Sequence, residues 1–305
     1  MPAHSIRYLK REQVDVAKWD MCIDKSPNGF IYGYSYYLDS MSKDWHALVL
    51  GDYEAIMPLT WNKKWGIRYL FQPAFIQQLG IFSPVDISQS LIDDFLSELF
   101  IHFRFGEITL NYKNEYPRFQ MRSNFIIFLH ASYDELYSKY RGDAIRNLNR
   151  TQKFDINYAG DIDLRVALEA YRREYHKKIA GFKDSDYDHF ETLCSMAQKN
   201  GEVLVRAVVG PEKNVLAVAV LLQKKKRLCL IQSTTFTEGR KVEANYFLID
   251  RIINEFSGRD MLLDFEGSDI PGIAHFYKNF GSIDQPYFFF RFNHLPLSIR
   301  WMKRT

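Results

Sequence analysis

Residues 228–281 constrain the possible fold more than any other segment of this sequence. They predict a strand at 228–234, a basic loop, an amphipathic helix, a second strand at 261–266 and a closing helix bounded by Pro271 and Gly281. Four apolar residues of the first helix recur at helical spacing and predict one buried face: Ile249, Ile252, Ile253 and Phe256. This order of elements is typical of an α/β layer with strands packed on helices.

The same plan occurs in both halves of the chain. The first half predicts strands at 45–50, 54–61, 67–71 and 107–112, with a helix at 88–105 that Gly106 ends. The second half predicts matching strands at 202–209, 215–223, 228–235 and 261–266, with a helix at 242–256. We therefore expect two tandem α/β units with a cleft between them. An apolar strand at 125–129 follows a polar connection, so the predicted domains are 1–123 and 124–305.

Composition excludes several classes of protein. Hydrophobic residues make up 47% of the 305 residues, which is ample for folded cores and excludes disorder. The net charge of +3 and the isoelectric point near 8.5 are too modest for a dedicated nucleic-acid binder, and DNA is not an expected partner. The oligomeric state stays open.

Cysteine and histidine spacing argues against metal and disulfide chemistry. The three cysteines are far apart and the eight histidines form no metal-ligand motif, so we expect buried thiols and no metal. Dinucleotide and P-loop patterns are absent from the sequence. No export signal or transmembrane stretch is predicted, and the expected location is cytoplasmic.

Two carboxylates end the strand predicted at 261–266. Asp264 and Glu266 are two residues apart, so the period of a strand predicts that they share a face. A carboxylate there can take the proton that an attacking amine must lose. Asp264 is the preferred base, and the alternative for Glu266 is that it caps the following helix instead. The structural alternative is that both face water or pair with nearby cations.

The chain resembles the GNAT superfamily, and within it the FemAB-like branch of tandem-domain acyl and aminoacyl transferases. The resemblance rests on three segments: Asp264 to Gly267, the run His275 to Gly281 and the Arg/Asn-rich helix at 144–150. It implies an α/β (α+β) fold of two GNAT-like domains, each a mixed, mostly antiparallel sheet flanked by helices. It also implies that Lys278 stabilises the oxyanion or a phosphate-linked substrate and that Tyr277 beside it contacts substrate.

The loop before the helix at 242–256 is the candidate for donor binding. Gly239, Arg240 and Lys241 could bind phosphate at a helix N-terminus, although a plain turn with two exposed cations is the stronger alternative for the two side chains. CoA-dependent members carry a pattern resembling Gln/Arg-x-x-Gly-x-Gly/Ala, whereas this loop has one glycine, which argues against acetyl-CoA. Further candidate cofactor contacts lie on the polar end of the preceding strand and in the helix: Gln232, Thr234 and Asn245.

Candidate substrate contacts lie in two other segments. On the helix predicted at 143–153, Arg146 and Arg150 are four residues apart and share a face that suits phosphate. An equally weighted alternative is a solvated face with ion pairs. Gln72 and Gln77 could recognise an amide-bearing acceptor, but they more plausibly satisfy backbone groups at a domain contact.

These observations predict an N-acyltransferase. The donor would be an acyl-CoA or an aminoacyl-tRNA acting as co-substrate, with no tightly bound cofactor, and tRNA would then be a partner. The acceptor would be a small-molecule or peptide amine, of which the resemblance suggests a peptidoglycan or other cell-envelope precursor. The alternative is a non-catalytic ligand-binding protein that keeps the fold and a basic cleft.

Overall fold

The computed structural model of the chain describes residues 5–160, 162–179, 181–267 and 269–296. They form two compact units, each built on one seven-stranded sheet. Unit 1 contains residues 5–122 and 286–296, and unit 2 contains residues 123–285. The boundary after Arg122 lies one residue from the predicted one, but the C-terminal strand, expected in the second domain, belongs to unit 1.

Unit 1 is a mixed sheet with helices. Its strands are β1 (Ile6–Lys10), β2 (Trp45–Leu50), β3 (Ala55–Lys64), β4 (Ile67–Leu70), β5 (Phe105–Leu110), β6 (Gln120–Arg122) and the C-terminal strand, numbered β14 (Tyr287–Asn293). Its helices are α1 (Val16–Lys25), α2 (Ser35–Met41) and α3 (Gln89–His102). The sheet order is β1-β2-β3-β4-β5-β14-β6, and the β4–β5 pair is parallel.

The predicted meander of unit 1 is confirmed, and one glycine has a different role. Ser88 caps α3 by accepting a hydrogen bond from the Leu91 N–H, as its position before the apolar stripe predicts. Gly106 does not end this helix, because it lies inside β5. A Cβ there would lie 2.7 Å from the Phe292 ring and 2.8 Å from the Leu70 Cβ. The glycine therefore permits the close approach of β4 and β14 to β5.

Unit 2 repeats the mixed architecture. Its strands are β7 (Phe125–Phe128), β8 (Asn157–Ala159), β9 (Val203–Val209), β10 (Val215–Lys224), β11 (Arg227–Thr235), β12 (Leu262–Asp264) and β13 (Ile283–Asp284), in the order β13-β7-β12-β11-β10-β9-β8. Its helices are α4 (Tyr133–Tyr137), α5 (Gly142–Thr151), α6 (Leu164–Tyr175), α7 (Asp184–Lys199), α8 (Thr237–Lys241), α9 (Ala244–Phe256) and α10 (Pro271–Lys278). The parallel pair here is β11–β12.

The two faces of this second sheet bury different residues. Leu228, Leu230 and Leu263 pack with α9 in the main core of unit 2. In the pairing with β10, Val220 is opposite Gln232 and Leu221 is opposite Leu230, so Ile231 is a bulge. The bulge places Gln232 and Thr234 on the same face as Cys229, which α6 covers.

Within the described ranges, no helix combines the length and the apolar character that crossing a bilayer requires.

Candidate active site

Asp264 ends β12 as a fully buried carboxylate. It forms an ion pair with Arg227 at the start of β11, whose own side chain is 12% exposed. Arg227 also donates to Gln285 Oε1 at 2.9 Å. The second Asp264 oxygen, Oδ1, accepts the Glu266 backbone N–H at 2.9 Å. Both oxygens of the Asp264 carboxylate thus have partners. This favours a positioning role for Asp264 over the role of the base that takes a proton from the substrate.

Glu266 lies near Asp264 for a different reason from the predicted one. β12 ends at Asp264, so Glu266 is not a strand residue and the period of two does not apply. Its φ of 62° is left-handed, a conformation that costs a non-glycine residue about 1–3 kcal/mol and is common at functional sites. The turn brings its carboxylate within 4.8 Å of the Asp264 carboxylate and the Cys229 thiol.

Tyrosine side chains lie near the turn that carries Glu266. Tyr277 on α10 stacks on Phe265 with ring centroids 4.4 Å apart, and on α6 the rings of Tyr171 and Tyr175 are 4.6 Å apart. Burial raises the pKa of Tyr171 and of Tyr277, and the negative charge of Glu266 raises both further. Both hydroxyls are therefore protonated at neutral pH and can donate hydrogen bonds.

A gap opens beside this cluster between the two parallel strands. Arg227 to Cys229 pair with Leu262 to Asp264. β11 then continues to Thr235, while β12 stops, so in the described part of the chain β11 pairs only with β10 beyond Cys229. An unpaired strand edge can bind an extended ligand through backbone hydrogen bonds.

The polar end of β11 carries two buried oxygens. Gln232 Oε1 and Thr234 Oγ1 have no hydrogen-bond partner among the residues that the structure describes, and both residues are 3% exposed. Their predicted contact with a donor stays a prediction. Asn245, the third residue of this group, is half-buried in the first turn of α9.

The predicted phosphate loop forms the five-residue helix α8. Gly239 is buried there, and a Cβ would lie 2.0 Å from the Leu216 carbonyl oxygen, so the glycine serves the packing of α8 on β10. Arg240 forms an ion pair with Glu174 at 3.1 Å, and Lys241 with Glu238 at 2.7 Å. Both cations already have carboxylate partners, which disfavours a preformed phosphate site.

The basic face of α5 is also partly neutralised. Arg146 forms an ion pair with Asp143, and Arg150 with Glu243 at 2.8 Å. Both arginine side chains are more than half exposed. The arrangement matches the alternative of a solvated face with ion pairs, and phosphate binding by either arginine stays a prediction.

Lys278, the predicted oxyanion stabiliser, is half-buried at the end of α10. Its Nζ lies 5.2 Å from the centroid of the Phe125 ring, a cation–π distance. The next residue toward the N-terminus, Tyr277, is in the cluster around Glu266. Consecutive residues of a helix point in different directions, so the position of Tyr277 does not place the Lys278 ammonium group at the cluster, and the catalytic role of Lys278 stays a prediction.

Gln72 and Gln77 lie in unit 1 and are hydrogen-bonded there. Gln72 donates to the Ile76 carbonyl at 3.0 Å and accepts the Thr109 N–H at 3.1 Å. Gln77 Oε1 accepts from the Gln78 amide at 2.7 Å. Gln72 therefore satisfies backbone groups, as the structural alternative holds, and recognition of an acceptor stays a prediction.

Three residues of the site were not among the predicted functional residues. Cys229 was expected only to be a buried thiol, and neither Tyr171 nor Arg227 was predicted to have a function. Of the three, only Arg227 could have been noticed in the sequence, because a cation at the start of an apolar strand is unusual. Cys229, Asp264 and Glu266 also form a set of three possible metal ligands, but Arg227 already pairs with Asp264.

The comparisons with known proteins bear on the fold. No family model and no curated protein sequence matches the chain. FemX has a similar structure, with a TM-score of 0.65 and 11% identity over 98% of this chain and all of FemX. The C-terminal domain of a lysylphosphatidylglycerol synthetase from Agrobacterium fabrum has a TM-score of 0.54 and 11% identity, covering 94% of each chain. L-PGS from Bacillus licheniformis has a TM-score of 0.53 and 10% identity, covering 94% of this chain and 95% of its own.

The fold is therefore that of the GNAT-like, FemAB-type proteins, as the sequence predicts.

Proposed function

We propose that unit 2 transfers an aminoacyl or acyl group from an activated donor to an amine acceptor, at the mouth of the gap between β11 and β12. The observation that carries the proposal is the Glu266 carboxylate, which a left-handed turn brings within 4.8 Å of Asp264 and Cys229 where β11 and β12 separate. The fold shared with FemX and with a lysylphosphatidylglycerol synthetase supports it.

Glu266 takes the proton in this mechanism. An acceptor amine enters as an ammonium ion and has no free lone pair until it loses a proton. Asp264 assists by accepting the Glu266 backbone N–H and by pairing with Arg227, so that the base is fixed in place. The free amine then attacks the carbonyl carbon of the donor, a new C–N bond forms and the carbonyl oxygen becomes an oxyanion.

The tyrosines supply hydrogen-bond donors for that oxyanion. The raised pKa values of Tyr171 and Tyr277 keep both hydroxyls protonated, and such donors stabilise negative charge that develops in a dry site. The intermediate collapses when the bond to the donor oxygen or sulfur breaks, and the leaving group takes up the second proton that the attacking nitrogen loses. Lys278 is proposed as a further cationic stabiliser.

An aminoacyl-tRNA is the donor that we propose. The arrangement at α8 supports this choice, because Gly239 is closed off by Leu216 and both neighbouring cations pair with carboxylates. A CoA pyrophosphate would have to displace these pairs. The proposed acceptor is an amine of a cell-envelope precursor such as a peptidoglycan peptide.

Binding to charged tRNA, uncharged tRNA and CoA tests the donor. We expect saturable binding of charged tRNA that weakens with salt, and no binding of CoA at the same concentrations. Saturable CoA binding with no tRNA binding would contradict the proposed aminoacyl-tRNA donor and indicate an acyl-CoA donor. If neither tRNA nor CoA binds, the alternative of a non-catalytic ligand-binding protein is favoured over an acyltransferase.

The base is tested by Glu266→Gln, with Glu212→Gln in the exposed β9–β10 turn as the matched control. We expect Glu266→Gln to lower the single-turnover transfer rate by roughly 10²–10⁴-fold and the control to leave it unchanged. An active Glu266→Gln variant would show that another group takes the proton.

A further inference from the structure

The hairpin that joins β3 and β4 ends in an exposed tryptophan. Its two-residue turn is Trp65 and Gly66, with φ of 50° and 82°, the left-handed pair that Asn-Gly usually supplies. Trp65 is 64% exposed, and apart from chain neighbours no described atom lies within 4 Å of a Cβ built on Gly66. The turn thus stands clear of the described part of unit 1. Neither turn geometry nor packing accounts for a tryptophan at this position.

Three exposed cations lie beside this turn. Lys63 and Arg68 are directly opposite each other in the β3–β4 pairing, so two like charges share one face of the hairpin and destabilise it. Lys64 is on the other face, with its Nζ 4.5 Å from the centroid of the Trp65 ring. Residues 55–85 contain no aspartate or glutamate, and within the described ranges none of the three cations forms an ion pair with a carboxylate. The hairpin therefore ends in three uncompensated positive charges.

The matching hairpin of unit 2 has its own counter-charges. The connection between β10 and β11 also carries a run of lysines, but Lys224 forms an ion pair with Glu202, and Lys226 forms one with Asp260. The same element of the tandem plan is thus neutralised in one unit and not in the other. The free charges beside Trp65 are therefore not a requirement of the fold.

We propose that the β3–β4 tip, residues 63–68, docks end-on onto an anionic phospholipid surface. Tryptophan favours the headgroup layer of a bilayer, where the ring leaves water and the indole N–H still finds a partner. Lysine and arginine beside the ring are attracted to the lipid phosphates. The cations lie on both faces of the hairpin, so all three reach a flat surface when the turn meets it first. This docking concerns unit 1 and does not depend on the proposed transfer reaction.

RNA is the other polyanion that these charges could contact, and the geometry favours it less. A stacked base needs a free ring face, and the Lys64 ammonium already lies over one face of Trp65. RNA binding also uses a basic groove that follows the phosphates along the strand, whereas these cations are confined to the end of one hairpin. A flat anionic surface therefore matches the tip better.

Sedimentation with vesicles tests the docking of the full chain. We expect binding to vesicles that contain phosphatidylglycerol, weaker binding at physiological than at low salt, and no binding to vesicles of phosphatidylcholine alone. The tryptophan emission should shift to shorter wavelength on binding, because Trp65 leaves water. Equal binding to both kinds of vesicle, or no binding to either, would overturn the proposal, as would binding without an emission shift.

Two variants and a matched control assign the contact. Trp65→Asn removes the ring and keeps the turn, since Asn-Gly is a preferred sequence for this geometry. It should weaken vesicle binding roughly tenfold and abolish the emission shift. Lys63→Gln should weaken binding roughly fivefold, and it also relieves the repulsion with Arg68, so the hairpin stays folded. Lys226→Gln, the control, removes the same charge from a position paired with Asp260 and should leave the affinity unchanged.

Uncharged tRNA, tested with the same variants, separates the two polyanions. Vesicle binding that Trp65→Asn and Lys63→Gln leave intact would show that another surface docks, and the proposal would fail. Binding of tRNA that both substitutions weaken, without vesicle binding, would assign the tip to RNA and also overturn the proposal. Neither result depends on whether the protein transfers acyl groups.

Discussion

Arg227 and Asp264 form a buried ion pair across two adjacent parallel strands, 37 residues apart in the sequence. The guanidinium also reaches Gln285, and the carboxylate also accepts the Glu266 N–H. One interaction thus joins the start of β11, the end of β12 and the turn that carries the proposed base. Its loss should affect both stability and transfer.

Asp264→Asn should lower the free energy of unfolding by about 3–5 kcal/mol, because it removes the charged partner from a buried ion pair with Arg227. Urea denaturation followed by circular dichroism measures the change. Asp260→Asn is the matched control, since Asp260 pairs with Lys226 and both side chains are more than 70% exposed. The control should change stability by less than about 0.5 kcal/mol. Equal effects of the two substitutions would contradict the assigned role of Asp264.

Gly239→Ala should destabilise unit 2, because the added Cβ would lie 2.0 Å from the Leu216 carbonyl oxygen and α8 must move away from β10. We expect a loss of about 1–3 kcal/mol in the free energy of unfolding. Gly142→Ala in α5 is the control, since no atom of the described residues lies within 4 Å of its Cβ position. That variant should be neutral or more stable by up to about 1 kcal/mol. A neutral Gly239→Ala would show that α8 is not held against β10.

Glu266→Gly and Glu266→Ala together separate backbone strain from the carboxylate. Both variants lack the proposed base, but only glycine adopts a φ of 62° without a steric cost. We therefore expect Glu266→Gly to be more stable than Glu266→Ala by about 1 kcal/mol, and both to lose transfer activity. Thermal unfolding and a transfer assay check the two halves of this prediction. Equal stability of the two variants would mean that the left-handed turn relaxes without cost.

Cys22→Ala should reduce the alkaline pH dependence of stability. Cys22 is buried in α1, and this burial raises the pKa of its thiol from 9.0 to about 11. Because the folded-state pKa is the higher one, the stabilisation is complete below pH 9 and is lost as the pH rises toward 11. Between pH 8 and pH 11, the decrease in the free energy of unfolding should be smaller in Cys22→Ala than in the unsubstituted protein by about 2 kcal/mol. Urea melts at the two pH values measure it, and parallel pH profiles would refute the shift.

The local pattern of the sequence determined the elements and their order. The stripe Ile249, Ile252, Ile253 and Phe256 predicts α9, and alternation with turn residues predicts both meanders, because helix and strand periods depend on neighbouring residues. The tandem plan follows from the same local signals.

Tertiary structure decided the site and part of the domain division. β14 follows unit 2 in the sequence but pairs with β5 and β6 of unit 1, since strand pairing joins segments that are distant along the chain. From the sequence, Gly106 is expected to end a helix and Gly239 to lie in a loop. In the structure Gly106 packs closely against Phe292, and Gly239 packs closely against Leu216. Whether Asp264 is free or paired depends on Arg227, which only the parallel register of β11 and β12 brings beside it. The sequence by itself thus determined which residues could do chemistry, and the long-range pairing of strands decided which of them meet.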